Sequence, residues 1–413
     1  MPNRMDKIRQ WAIPAEVLQL IEQLEAAGEQ AFLIGGAVRD LWLGVEPSDY
    51  DLATSADPQT IREIFGAHDQ VLAGLKHGTV GVIVGHKVYE ITSFREDRHY
   101  ADHRRPQEVM FTSSLAKDVQ RRDFTMNALA YSPSAGLVDL AGGIEDLRQG
   151  LIRCVGNPFT RFSEDALRIM RAYRLAADYG FLIETESLRA ARHLLPDLCY
   201  VAAERISAEL QRLLVGDYFT EQLALHRDVL HFLFPELDEG TWQRLSAEAF
   251  AALPPDFVLR LSLIGAVLPR EVPAEVGMRL RLSRPENKAF LSLSLSAPLT
   301  PPPDPVNLLR FARDYEVELA DWRLLLAALA LGPAGPSSQY LQAVDRSLLT
   351  IETQELPTGP LELAISGRDL REAGWKQSPA IGQALERLWL DCLEGRVAND
   401  YAALSAMAEV YRH

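Results

Sequence analysis

The sequence predicts an α+β protein, a small mixed sheet with helices followed by a long helical body. Up to about residue 130, short apolar runs such as "QAFLIGG" and "HGTVGVIVGHKVYEITSF" are interspersed with helical patterns. From about Asp165 the pattern becomes a succession of amphipathic helices, with no convincing alternating strand. The 413 residues, 47% hydrophobic and 24% charged, suffice for two to four domains with a sizeable core.

The elements follow in order. In "EVLQLIEQLEAAG" (16–28), Val17, Leu20, Ile21 and Leu24 recur at helical spacing, and Gly28 supplies a C-terminal cap. "QAFLIGG" reads as a buried strand. "SADPQTIREIFGA" predicts a helix capped by Asp57, with Pro58 in its first position and Ile61, Ile64 and Phe65 facing the core. The run around Gly85 reads as two short strands. "DALRIMRAYRLAADYGF", "TESLRAARHLL" and "AERISAELQRLLVG" are amphipathic helices, "SAPLTPPPDPV" (296–306) a rigid linker or long turn, and "TQELPTGPLEL" (353–363) another boundary. No internal repeat stands out.

Composition narrows the function classes. The longest charge-free stretch, Leu324 to Val344, is broken by two Gly-Pro pairs and Ser-Ser, so it does not read as a membrane span. The amino terminus lacks the apolar core of a signal peptide. Cys154, Cys199 and Cys392 lie far apart and read as free thiols of a reducing cytoplasm, with no zinc site. Net charge is −15, yet residues 86–174 hold 14 Lys and Arg against 12 Asp and Glu. The cations gather where the chemically suggestive residues lie, which leaves room for a phosphate-bearing partner.

Asp49 and Asp51 stand one residue apart in "DYDLAT". If that segment is a strand, both carboxylates project from one face and repel unless a cation lies between them. Such oxygens suit Mg²⁺, completed by waters and substrate phosphates; a bare D-x-D is equally at home in a solvated turn. Gly35 and Gly36 expose backbone N–H groups to which a phosphate has access, and Arg39 follows at a spacing that suits the same anion. The pattern is neither a Walker loop nor G-x-G-x-x-G. Arg121, Arg122 and Asp123 open "RRDFTMNALAY", as a phosphate-binding junction or an ordinary charged cap. In "REDRHYADHRRPQEVMF" (95–111), Arg104-Arg105-Pro106 either touches phosphate or belongs to a solvated loop.

In "EDALRIMRAYR" (164–174), Asp165, Arg168, Arg171 and Arg174 step by three along one slowly drifting helix face. They form an exposed salt-bridged stripe or a reader of base edges. An acceptor beside a fixed fork of donors matches an amine next to a ring-nitrogen acceptor. Cytosine and adenine carry that edge; uracil and guanine present the reverse. The Asp165/Arg168 pair would thus accept C and A.

"LIGGAVRDLWLGVEPSDYDLATSADP", "RRDFTMNALAY", "GLVDLAGGIEDLRQGLIRCVG", "RFSEDALRIMRAYRLAADYGF" and "ERISAEL" occur in that order. Together they resemble the successive motifs of the bacterial class II tRNA nucleotidyltransferases (CCA-adding enzymes) and their poly(A) polymerase relatives. The likeness covers roughly residues 15–210, with a fainter one at "ELAISGRDLREAG" (362–374). It implies a polymerase-β-like head (1–150), a nucleotide-selecting helical neck (151–215), a helical body (216–300) and a tRNA-binding tail (301–413). It also implies that Asp49 and Asp51 are the catalytic, Mg²⁺-binding pair. Gly36 and Arg39, with Gly35 beside them, would contact the triphosphate, and Arg122 would bind the nucleotide. Asp165 and Arg168 would select C or A, with Arg171 and Arg174 as further nucleotide-binding arginines. Glu90, in "VYEITSF", is either a third carboxylate or a plain strand residue. The implied reaction adds C, C and A from CTP and ATP to the tRNA 3′ end and releases pyrophosphate.

CC-only addition is disfavoured because "REDRHYADHRRPQEV" is full length, whereas CC-adding relatives have that loop shortened. A-only addition ranks next after complete CCA addition, and poly(A) synthesis third, since "EAAGEQAFLIGG" shows no extra signature before the glycines. A non-catalytic RNA-binding descendant would have lost an aspartate of the pair, and both are present. His68-Asp69 lacks the second His/Asp set of a phosphohydrolase, and "HRD" (226–228) lacks the companions of a kinase loop.

Overall fold

The structure, a computed structural model, describes residues 11–100, 106–333, 335–376 and 379–412, without the side chains of 97–100 and 106–109. It forms two compact units, Met1–Leu233 and Phe234–His413. The division falls inside the segment 216–300 that the sequence suggests as a body.

The first unit is built on a seven-stranded mixed sheet in the order β3-β4-β5-β2-β1-β8-β9. At its centre lies β1 (Ala31–Ile34), buried at every position, as its unbroken apolar sequence requires. It pairs antiparallel with β2 (Leu52–Thr54) and β8 (Leu129–Ser132). On the other side of β2, β5 (Lys87–Ser93) runs parallel to it and antiparallel to β4 (Thr79–Val84), with Gly85 at φ +63° in the turn. The short β3 (Gln70–Val71) and β9 (Gly136–Asp139) form the edges. Helix α1 (Ala15–Ala26) packs on β1 through Val17, Leu20, Ile21 and Leu24, each burial worth roughly 2 kcal/mol. Phe32, Ile34, Ala53, Phe94, Leu115, Ala128 and Ala130 are among the residues that fill one core cluster.

Helix α2 (Gly36–Leu43) follows β1 directly. In α3 (Pro58–Ile64), Asp57 accepts the Thr60 N–H at 2.8 Å and Ile61 and Phe65 are buried, while Ile64 is only half-buried. A separate hairpin joins β6 (Arg95–Tyr100) to β7 (Pro106–Phe111). The Arg104-Arg105 pair considered in the sequence lies outside the described residues. After α4 (Leu115–Gln120) comes a single 3₁₀ turn, Thr125–Asn127. Asp139 then accepts backbone N–H groups of Gly142, Gly143 and Ile144 at 2.8–3.0 Å, which starts α5 (Gly143–Gln149).

The helical series comprises α6 (Pro158–Glu164), α7 (Leu167–Tyr179), α8 (Thr185–His193), α9 (Ala203–Val215) and α10 (Leu223–Leu233). One strand was not legible there: β11 (Leu182–Ile183) pairs in parallel with β10 (Leu151–Ile152), and two residues are too few to show alternation. A larger correction concerns "EDALRIMRAYR", which is not one helix. Asp165 is extended (φ −145°, ψ 102°) and separates α6 from α7.

In the second unit the described regular elements are helices. Phe257–Val267, apolar nearly all round, packs on Arg284–Ser296 and is buried along most of its length, as such a helix must be. Trp322 and Trp389 are buried, each donating its indole N–H to a backbone carbonyl, of Ser296 and Pro357. The proline cluster is a turn inside this unit, where Asp304 caps Pro305–Tyr315 by accepting the Asn307 N–H at 3.1 Å. No described helix is long and apolar enough to cross a membrane.

Candidate active site

At the end of β1 the chain turns through Gly35, whose φ of +75° is a conformation that side chains disfavour. Its N–H donates to the Leu129 carbonyl at 3.1 Å, and a Cβ there would lie 3.4 Å from the Arg122 guanidinium. The turn aims the first residues of α2 into a cleft of about 970 Å³. Arg39 and Asp40 are buried. The guanidinium donates from Nε and Nη2 to the two Asp40 oxygens at 2.9 and 3.1 Å, and from Nη1 to Asn127 Oδ1 at 2.6 Å.

Asp49 and Asp51 do not lie within a strand, as the sequence suggested; β2 begins at Leu52. Pairing nonetheless reaches Asp51, since the Ile34 N–H donates to its carbonyl at 3.0 Å. Leu52 stands opposite Ile91, so Asp51 and Glu90 each sit one residue before a paired position on neighbouring parallel strands. The Asp51 carboxyl is pushed up to about 6, first by the protein around it and then by the charges of Asp49 and Glu90, against the pull of Arg122. Anions are thus crowded where a cation would relieve them. Among the described residues no group of three or more His, Cys, Asp or Glu side chains is placed to hold a metal ion by itself. An ion at Asp49 and Asp51 would draw its remaining ligands from waters and substrate oxygens.

The cleft is lined by Gly35, Gly36, Arg39, Asp49, Asp51, Glu90, Arg122, Arg171 and Arg174, nine of the eleven residues to which the family resemblance points, and by Arg121 and Asp123. Asp165 and Arg168 are not among its lining residues. Asp165 accepts the Leu167 N–H at 3.2 Å and an N–H of Arg205 at 3.1 Å. The first of these contacts needs a non-helical backbone and accounts for the break between α6 and α7. Arg168 donates to Glu164 Oε2 at 2.8 Å and to the carbonyls of Arg161 and Arg121 at 2.9 and 3.0 Å, which ties α7 to the "RRD" segment.

Buried carboxylates hold the other arginines. Asp118 accepts Arg121 Nε at 2.8 Å, the Arg95 backbone N–H at 3.3 Å, and Arg122 Nε and Nη2 at 3.3 and 3.1 Å. Burial alone would raise its pKa, but the two guanidinium charges hold it below the usual carboxylate range. Asp123 likewise stays well below that range despite burial, because Arg171 donates to it at 2.9 Å and Arg168 adds its charge. Arg174 spans Glu209 and Asp178, both at 2.7 Å. Sequence reasoning missed Asp118, Asn127 and Glu209 as supports. Asp118 was within reach, standing three and four residues before its arginines. Glu209 lies 35 residues from Arg174 and gave no local signal.

The two doublets set aside in the sequence have ordinary places. His226 is wholly buried and stacked on Phe219, while Asp228 pairs with Arg192; His68 meets the edge of Phe65.

Residues 31–153 match the family model "Poly A polymerase head domain", and residues 180–241 match "Probable RNA and SrmB- binding site of polymerase A". A CCA-adding enzyme of Leuconostoc mesenteroides is 33% identical over 400 residues, covering 95% of each chain. That of Limosilactobacillus fermentum is 36% identical over 409 residues, covering 95% of this chain and 96% of its own. The chain belongs to the CCA-adding tRNA nucleotidyltransferases. Among solved structures, the Bacillus stearothermophilus CCA-adding enzyme in complex with CTP superposes with a TM-score of 0.76 at 28% identity. The match covers 100% of this chain and 98% of that one. The α+β architecture expected from the sequence is thus that of the CCA-adding enzymes, and the likeness extends well beyond residues 15–210.

Proposed function

We propose that this chain completes the tRNA 3′ end in the cytoplasm by adding C, C and A from CTP and ATP, with Mg²⁺ as its metal. The observation that carries the reading is one cleft lined both by Asp49, Asp51 and Glu90 and by Arg39, Arg122, Arg171 and Arg174. That lining brings cation-seeking carboxylates and phosphate-seeking guanidinium groups into one cleft, which is what nucleotidyl transfer needs.

In this reading the terminal 3′-hydroxyl attacks the α-phosphorus, its proton passes to solvent water, and the bond from the α-phosphorus to the pyrophosphate leaving group breaks in line. Asp49 and Asp51 would hold the metal, with Glu90 as a third carboxylate nearby, and such an ion would supply charge to lower the pKa of the attacking hydroxyl and to offset the triphosphate. Gly35, whose own N–H is taken by the Leu129 carbonyl rather than open to phosphate as the sequence suggested, makes the turn that brings Gly36 to the phosphates, and Arg39 and Arg122 receive their charge. Arg171 and Arg174 bind the nucleotide from the α7 side. Asp165 and Arg168 select the base; for this the Asp165 carboxylate exchanges the Arg205 contact for a base amine. The four parts, head 1–150, neck 151–215, body 216–300 and tail 301–413, belong to the same proposal, with the tail holding tRNA by shape and backbone.

Asp49→Ala and Asp51→Ala test it. Each should lower CMP and AMP incorporation by about a thousandfold or more, since metal-borne charge stabilisation is worth several kcal/mol. Incorporation near the parental rate in either variant would remove the pair from the chemistry.

A further inference from the structure

Tyr179 is the last residue of α7, the helix that carries Arg171 and Arg174, and belongs to none of the site residues assigned so far. Its ring lies under the Arg39 guanidinium, with Arg39 Cζ 4.6 Å from the ring centroid. Its hydroxyl donates to Asp40 Oδ1 at 2.8 Å, on the same carboxylate that receives Arg39 Nε and Nη2. The carboxylate and the ring therefore fix the guanidinium on two sides, in its plane and across its face. Asn127 takes a third N–H, from Nη1. A guanidinium has five N–H donors, so these contacts leave one on each terminal nitrogen for an incoming anion. Tyr179, Arg39 and Asp40 all line the cleft.

We propose that Tyr179 is a positioning residue that sets Arg39 for the triphosphate and thereby couples phosphate binding to the helix carrying Arg171 and Arg174. The proposal rests on the function given above and adds a residue and a coupling to it. Burial raises the phenol's pKa well above its ordinary value, so at neutral pH the hydroxyl keeps the proton that it donates. Removing the hydroxyl takes one of the hydrogen bonds that hold the Asp40 carboxylate in the plane of the guanidinium. Removing the ring also takes the cation–π face. Either change lets the two remaining N–H groups swing away from the phosphates, while the base-side contacts of a nucleotide are untouched.

The discriminating comparison is triphosphate against monophosphate, using the full chain. In Tyr179→Phe, Kd and KM for CTP and ATP should rise about three- to tenfold, kcat should change less than about twofold, and affinity for CMP should stay unchanged. Tyr179→Leu should show a larger rise of the same selectivity. Asp40→Asn should resemble Tyr179→Phe, and the double variant should fall short of the product of the singles. A role in packing alone would lower Tm and weaken CMP and CTP alike, and that result overturns the proposal. So does an unchanged KM for CTP in both Tyr179 variants. If the parental protein extended no RNA, the function would be wrong, while the CTP-to-CMP binding ratio would still decide the role of Tyr179.

Discussion

Asp118 receives two guanidinium groups and a backbone N–H on one buried carboxylate, so its loss takes from Arg121 and Arg122 the carboxylate to which both donate. Asp118→Ala should cost about 3 kcal/mol, the usual penalty for breaking a buried pair, read as a fall in the urea midpoint. At this scale much of the site could be read from the chain. The Gly35/Gly36 pair, Arg39 and the Asp49/Asp51 spacing lie within 17 residues, and β1 and β2 bring them together by the simplest antiparallel pairing. Asp165 was misread because its helical spacing from Arg168 is the same whether or not the backbone between them is helical. Only the local bond to the Leu167 N–H decides that, and sequence does not show it.

Among the elements, helices with caps and apolar faces were the most legible, as α1 and α3 show, because their signals lie within a few residues. The two-residue β10–β11 pair joins segments 31 residues apart and carries no period of its own. The packing of α10 against α7 yields a pH prediction. His226 lies stacked on Phe219 and edge-on to Tyr173, and burial pushes its pKa down to about 3. In the unfolded chain the imidazole titrates near 6.5. Above that pH it is neutral in both states. As pH falls below 6.5 the unfolded chain takes up a proton that the folded one refuses, and stability drops until about 3. Between pH 7 and pH 5 this group alone should remove about 2 kcal/mol. His226→Phe should shrink that difference by a similar amount when urea unfolding is compared at the two pH values; an unaltered difference would mean the imidazole titrates in the fold as it does in the unfolded chain.

For the whole molecule, the change from mixed to helical grammar was visible because it reflects two packing regimes, a sheet whose strands must be covered and helices that cover one another. The boundary at 233/234 was not visible, since helices lie on both sides of it and nothing in their composition marks which neighbours they pack against. The acidic balance of the chain, −15 overall, bears on its proposed RNA partner: a tail that holds tRNA by its backbone needs a local strip of cations within an acidic surface. The most direct measurement supplies the protein and Mg²⁺ with tRNA ending before the first C, after CC, or with unrelated RNA, giving each nucleotide singly and then together. Complete CCA synthesis predicts two C residues added from CTP alone to the first tRNA, one A from ATP alone to the second, three nucleotides when both are present, and none on unrelated RNA. Extension of only the CC-ended tRNA, or untemplated A tracts on any RNA, would contradict it.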